Sequence, residues 1–119
     1  FRFIYLSEDE KAANEIPEKA ITWVRDLSAY RRTITKGDEI HIDLDQWRKE
    51  SGEESRSYQS ELANNYFCTP DQCIDRIAEL QSQHGISYFG ANFAFGSMEH
   101  AKVMASMKLF AQEVMPKFR

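Results

Sequence analysis

Apolar residues fill most of the opening segment Phe1-Arg2-Phe3-Ile4-Tyr5-Leu6, and its aromatic and branched side chains predict a mostly buried strand. Ser7-Glu8-Asp9-Glu10 follows. It reads as a capping box, with the Ser7 hydroxyl set for the Glu10 N–H and the Glu10 carboxylate for that of Ser7. Beyond it Ala13, Ile16, Ala20, Val24 and Leu27 recur with a helical period, and Pro17 interrupts the run. A proline is tolerated in a first helical turn, where its missing N–H would have no partner, so two helical pieces sharing one buried face are predicted.

The pattern weakens from Arg31 to about Leu62. Ile40, Ile42 and Leu44 alternate with polar residues, Asp43 to Glu50 could turn around Trp47, and Ser51-Gly52-Glu53-Glu54-Ser55 is polar throughout. A stretch this long between regular elements reads as an insertion, either a lid or a mobile surface segment without chemistry. Asn64 to Cys68 then predicts a short strand running into Thr69-Pro70-Asp71-Gln72, a helix start with Thr as N-cap, Pro in the first turn and Gln three residues on. Cys73, Ile74, Ile77 and Leu80 form that helix's buried face, and Gly85 is its left-handed stop. Ile86 to Asn92 is the next predicted strand. Gly96-Ser97 opens a last helix with Val103, Met107, Phe110 and Val114 on one stripe, ended by Pro116.

The order is strand–helix, insertion, strand–helix, strand–helix. A capped helix between two strands is a βαβ unit, which calls for parallel pairing and right-handed crossovers. If every crossover lay on the same side, one face of the sheet would stay bare, yet parallel sheets are normally covered on both. The expected fold is therefore α/β: the C-terminal three βα units of a (β/α)8 barrel, with an insertion before the second strand and the missing cover supplied by preceding strands. The units span 1–32, 63–85 and 86–119, with the insertion at 33–62. A small open α/β sheet is the alternative. The chain starts inside an apolar segment without Met, which also reads as a piece of something longer.

Composition narrows the function classes. With 15 Lys and Arg against 19 Asp and Glu, the formal charge of the 119 residues is −4. This argues against nucleic acid and polybasic membrane surfaces as partners, since both need clustered cations. No apolar run approaches the roughly 18 residues of a membrane span. Two cysteines in a chain of this length suit a reducing compartment, so a cytoplasmic location is expected.

Candidate chemistry is sparse. Cys68 and Cys73 flank a helix start, but their spacing is not the redox C-x-x-C, and Cys73 falls on a buried stripe, which favours a structural role. His41, His84 and His100 lack metal-ligand spacing, so no metal site is expected. The acidic residues are scattered as helix-start and solvated charges. The segment Gly90 to Ser97 joins the last strand to the last helix. Asn92 and Phe93 read as pocket wall there, and Gly96 and Ser97 as a weak anion cradle. Trp47, Tyr58 and Phe67 lie in or beside the insertion, near the strand ends where barrel sites form.

Several segments resemble the bacterial luciferase-like, flavin-dependent monooxygenases. Cys68-Thr69-Pro70-Asp71-Gln72-Cys73-Ile74 is similar to that family's G-T-P-x-x-C-I, with Cys68 standing where the family has glycine. Ala105-Ser106-Met107-Lys108-Leu109-Phe110 and Glu113-Val114-Met115-Pro116 resemble its closing helix, S-M-K-L-F…V-M-P. His84-Gly85-Ile86-Ser87 fits the turn into its last strand. Asp45-Gln46-Trp47-Arg48 is similar to a Q-W-R stretch of its luciferase α chains, and Leu6 to Glu15 to a D-x-x-K-A-K-E helix start. The match is strong from Thr69 onward and weak between Arg31 and Leu62.

The resemblance implies a barrel enzyme that uses FMN, reduced by a separate flavin reductase, and O2 to oxygenate a small organic substrate. Deazaflavin coenzyme F420 is the alternative cofactor. It also implies a homo- or heterodimer in the full-length form, with Trp47 near the pocket and the insertion before Phe67 as a closing segment. Much of the flavin-phosphate site and the catalytic residues would lie on earlier strands, so the 119 residues alone are expected to be inactive; the uncovered parallel sheet with free edges separately leads to an expectation of self-association. Two other readings are a non-catalytic barrel relative serving in assembly and a small stand-alone α/β binding module.

Overall fold

The computed structural model describes residues 1–35 and 58–119. Three parallel strands form one sheet: β1 (Arg2–Leu6), β2 (Tyr66–Cys68) and β3 (Ala91–Asn92). Helices α1 (Glu10–Glu15) and α2 (Glu18–Thr35) follow β1, and α3 (Tyr58–Asn64) leads into β2. Helix α4 (Pro70–His84) follows β2 and α5 (His100–Leu109) follows β3. The chain continues from α5 through a π-helical turn, Phe110–Val114, and a 3₁₀ turn, Met115–Phe118. Among the described residues no helix is long and apolar enough to cross a membrane.

Local chemistry sets most boundaries. Pro17 separates α1 from α2 as its missing N–H requires. Helix α4 opens on a complete capping box: Gln72 N–H donates to Thr69 Oγ1, and Thr69 N–H donates to Gln72 Oε1 at 3.1 Å. It closes on Gly85 at φ 60°, whose N–H reaches Gln81 O at 2.8 Å.

The first cap differs from expectation. Asp9, not Ser7, is the N-cap of α1: it accepts from Lys11 N–H at 3.1 Å, while Ser7 Oγ accepts from Asp9 N–H. The Glu10 carboxylate instead takes Gln72 Nε2–H at 2.7 Å, a tertiary partner that outcompetes the local one. Two C-terminal boundaries move as well. The expected strand 86–92 forms a ladder only at Ala91–Asn92, and the last helix starts at His100 rather than beside Gly96-Ser97. Pro116 lies within the 3₁₀ turn instead of ending the helical winding. It cannot donate to Gln112 O, and the chain tightens into i to i+3 bonding there.

The strand order is β2-β1-β3, with Ile4 opposite Tyr66 and Phe3 opposite Asn92. In a barrel arc consecutive strands lie side by side in chain order, which would put β1 at an edge. Here β1 is central, and both faces of the sheet are covered. Ile4, Leu6, Tyr66 and Cys68 pack with Cys73 and Ile77 of α4 and with Val114. Tyr5 and Phe67 point to the other face, against Ala20 and Ile21 of α2 and Phe95, with Tyr58 and Leu62 of α3 alongside. The bare face expected from the sequence is therefore absent. The chain steps one way from β1 to β2 and back across β1 to reach β3, so crossovers of one hand place their helices on opposite faces. Fully buried Ile4, Leu6 and Ile21 each contribute about 1.5–3 kcal/mol from this double cover.

Candidate functional site at the C-terminal edge of the sheet

Parallel strands bring their C-terminal ends to one edge. In a doubly wound sheet ligands enter there, where the crossovers part to opposite faces. That point lies between β1 and β3. The ladder from β1 to β3 engages only Arg2 and Phe3, with Arg2 N–H donating to Gly90 O. Leu6 N–H points to the same side as that of Arg2, because N–H groups alternate along a strand. It donates to Ser106 Oγ of α5 at 2.9 Å, and Ser106 is fully buried. The crevice is thus closed by the protein's own helix.

The rim of this edge is acidic. Glu8, Asp9 and Glu10 follow β1, Asp71 follows β2, and Glu99 is the N-cap of α5 and pairs with Lys102 at 3.1 Å. Carboxylates at helix N-termini complement the helix dipole and oppose a phosphate.

The aromatic candidates fill the core. Phe67 is buried and nearly parallel to both Tyr58 and Phe95, with centroids at 6.4 and 5.6 Å. Phe3 extends the column from Phe95 at 5.1 Å. Tyr58 donates its hydroxyl to Asn14 O, and burial pushes its phenol above the ordinary range, reinforced by the Glu18 carboxylate. Asn92 pairs with Phe3, and Phe93 meets Phe110 edge-on at 5.3 Å on the opposite face. Phe93 and Phe95 therefore straddle the edge of the sheet. Trp47 lies outside the described residues.

Gly96 has φ 55°, and a Cβ there would sit 2.4 Å from Ala20 O. The glycine is required by the close approach of α2, and exposed Ser97 lies in a turn before the helix. Neither residue belongs to the first turn of α5. The described residues do not fit a flavin phosphate: the glycine is closed by backbone, the nearest helix start bears a carboxylate, and the aromatic rings pack on one another.

Several functional-looking side chains carry no periodic signal. Arg76 donates to Asn65 O at 2.7 Å and Ala63 O at 2.8 Å, and its guanidinium lies 4.3 Å from the Tyr66 ring centroid. Glu61 is buried in α3. Both its oxygens accept from Arg25 of α2, at 2.9 and 3.2 Å, and Asn65 Nδ2–H donates to it at 2.8 Å. The four-residue spacing of Glu61 and Asn65 is the one local hint of this cluster. Ser106 left only a small polar residue where Met107 was expected inside; Met107 is exposed.

Two grooves open at the other end of the sheet. One, of about 220 Å³, is lined by Arg2, Tyr66, Arg76 and Gln83. The second, of about 190 Å³, is of mixed polarity, lined by Ile77, Gln81, Ser87, Tyr88, Phe89 and Phe118. No family model, curated protein or solved structure matches the chain.

Proposed function

We propose that these residues are the C-terminal part of a luciferase-like flavin-dependent monooxygenase. In that reading the whole protein uses reduced FMN, or the deazaflavin alternative, and O2 to oxygenate a small organic substrate. It works in the cytoplasm as a homo- or heterodimer served by a flavin reductase. The observation that supports this most directly is the turn from Cys68 to Gln72. The segment that resembles the family's G-T-P-x-x-C-I is a β-strand end followed by a capped helix, as a barrel βα corner requires. The described residues would then supply scaffold and wall, with the flavin held by other strands. The reading also requires β3 to leave β1 and pair beside β2, which a ladder of two residues makes inexpensive.

A second reading is favoured by the strand order and the double cover: a small stand-alone α/β module needing no further strands. Expressing the complete coding sequence beside Phe1–Arg119 separates the two. The monooxygenase reading expects reduced-flavin-dependent O2 consumption by the complete protein and none by the shorter chain. A complete protein that neither binds flavin nor consumes O2 rejects it. A monodisperse, cooperatively melting Phe1–Arg119 supports the module.

A further inference from the structure

We propose that the groove between Arg2, Tyr66 and Arg76 binds a small carboxylate, held by the Arg2 guanidinium and the Tyr66 hydroxyl. The inference is independent of the flavin reading, because this groove lies at the end of the sheet away from the strand C-termini, where a barrel builds its active site. Strand alternation puts Arg2 on the same side of β1 as Ile4 and Leu6, the side on which Tyr66 packs. Arg76 of α4 covers the Tyr66 ring there, its guanidinium 4.3 Å from the centroid.

Two of the three side chains keep donors for a ligand. Tyr66 is only 4% exposed and stacks on Phe89 at 5.6 Å, so its ring is fixed by Phe89 and by Arg76. Its hydroxyl has no hydrogen-bond partner among the described residues, yet it is not sealed from solvent. Arg2 Nη1 donates to Phe1 O at 3.2 Å. That leaves Nε and Nη2, the guanidinium edge that takes both oxygens of a carboxylate. Arg76 is committed: it donates to Asn65 O at 2.7 Å and Ala63 O at 2.8 Å, capping the carbonyl end of α3 and fixing a positive charge in the wall. Neither guanidinium pairs with a carboxylate among the described residues.

Charge and size select the ligand. Glu79 also lines the groove and accepts Gln83 Nε2–H at 2.9 Å. Two guanidiniums and one carboxylate leave a formal charge of +1 on the lining, which a single carboxylate neutralises. A phosphate dianion exceeds that charge and is repelled more strongly by Glu79. The volume of about 220 Å³ falls below the roughly 300 Å³ at which pockets for drug-sized ligands begin, so it suits a small acid. Burial raises the Tyr66 phenol against the opposing pull of Arg76 and Arg2, and the hydroxyl therefore stays protonated at neutral pH and donates.

The test is titration of the intact chain with sodium acetate, read by proton–nitrogen correlation spectra that include the arginine Nε–H signals, beside sodium chloride at matched ionic strength. The expected result is a saturable shift of the Arg2 Nε–H signal with acetate and only a small linear drift with chloride. Arg2→Gln and Tyr66→Phe should each raise the apparent Kd for acetate about tenfold or more, as loss of a hydrogen bond to a charged group requires. The proposal is overturned if acetate merely reproduces the chloride drift, or if inorganic phosphate saturates the Arg2 signal at lower concentration than acetate. Unchanged acetate binding in both variants also overturns it. Arg2 is exposed and Tyr66→Phe keeps the stacked ring, and the Arg2 signal of the unmutated chain decides the matter even where a variant fails to fold.

Discussion

Ser106 accepts the backbone N–H of Leu6 at 2.9 Å across 100 residues of sequence, so a helix hydroxyl takes the place of a neighbouring strand. Both residues are buried. Ser106→Ala should therefore leave a buried donor unsatisfied and cost about 1–3 kcal/mol. The loss would appear as a lower urea midpoint with an unchanged slope. A midpoint indistinguishable from the parent would mean that water or another acceptor replaces the hydroxyl.

The two glycines of positive φ should respond differently to alanine. At Gly85 (φ 60°) a Cβ meets nothing within 4 Å, so the penalty is backbone strain alone, about 1 kcal/mol. At Gly96 (φ 55°) the same strain is joined by a Cβ 2.4 Å from Ala20 O, a backbone atom that cannot yield without moving α2. Gly96→Ala should lower the thermal midpoint clearly more than Gly85→Ala. Equal shifts would contradict the close approach.

Arg25 and Glu61 tie α2 to α3. The Glu61 side chain is 4% exposed and that of Arg25 35%. Removing the partner of a fully buried charge costs about 3–5 kcal/mol, and the partial exposure of Arg25 puts Arg25→Met at or below the low end of that range. The double variant Arg25→Met with Glu61→Leu should recover part of the loss, because no lone carboxylate remains. Denaturation of the four-protein cycle measures it; additive losses would show that the pair is not coupled.

Alkali should destabilise the fold. Burial is the leading cause that raises the phenols of Tyr5, Tyr58 and Tyr66 above their ordinary value. The unfolded chain ionises them near about pH 10, while the folded chain holds their protons longer. The stabilisation is thus complete below that pH and is lost as pH rises beyond it towards the folded values. Thermal midpoints should hold steady up to about pH 9 and fall above about pH 10. Tyr58→Phe should flatten the fall while lowering the neutral-pH midpoint, since its hydroxyl bond to Asn14 O is gone. A fall of equal steepness in that variant would remove Tyr58 from the account.

Local chemistry was legible in the sequence because it acts within a few residues. The Thr69–Gln72 box, the Pro17 break and the Gly85 stop follow from capping and ring closure. Tertiary structure alone decided which side of β1 receives β3, and with it the cover on both faces and the helix seated where a ligand would enter. Glu10 shows why. Its carboxylate fits a local cap, yet Gln72, brought alongside by the pairing of β1 with β2, takes it instead. Spacing along the chain fixes what a residue can reach nearby, whereas the order of strands depends on which long-range surfaces bury one another best.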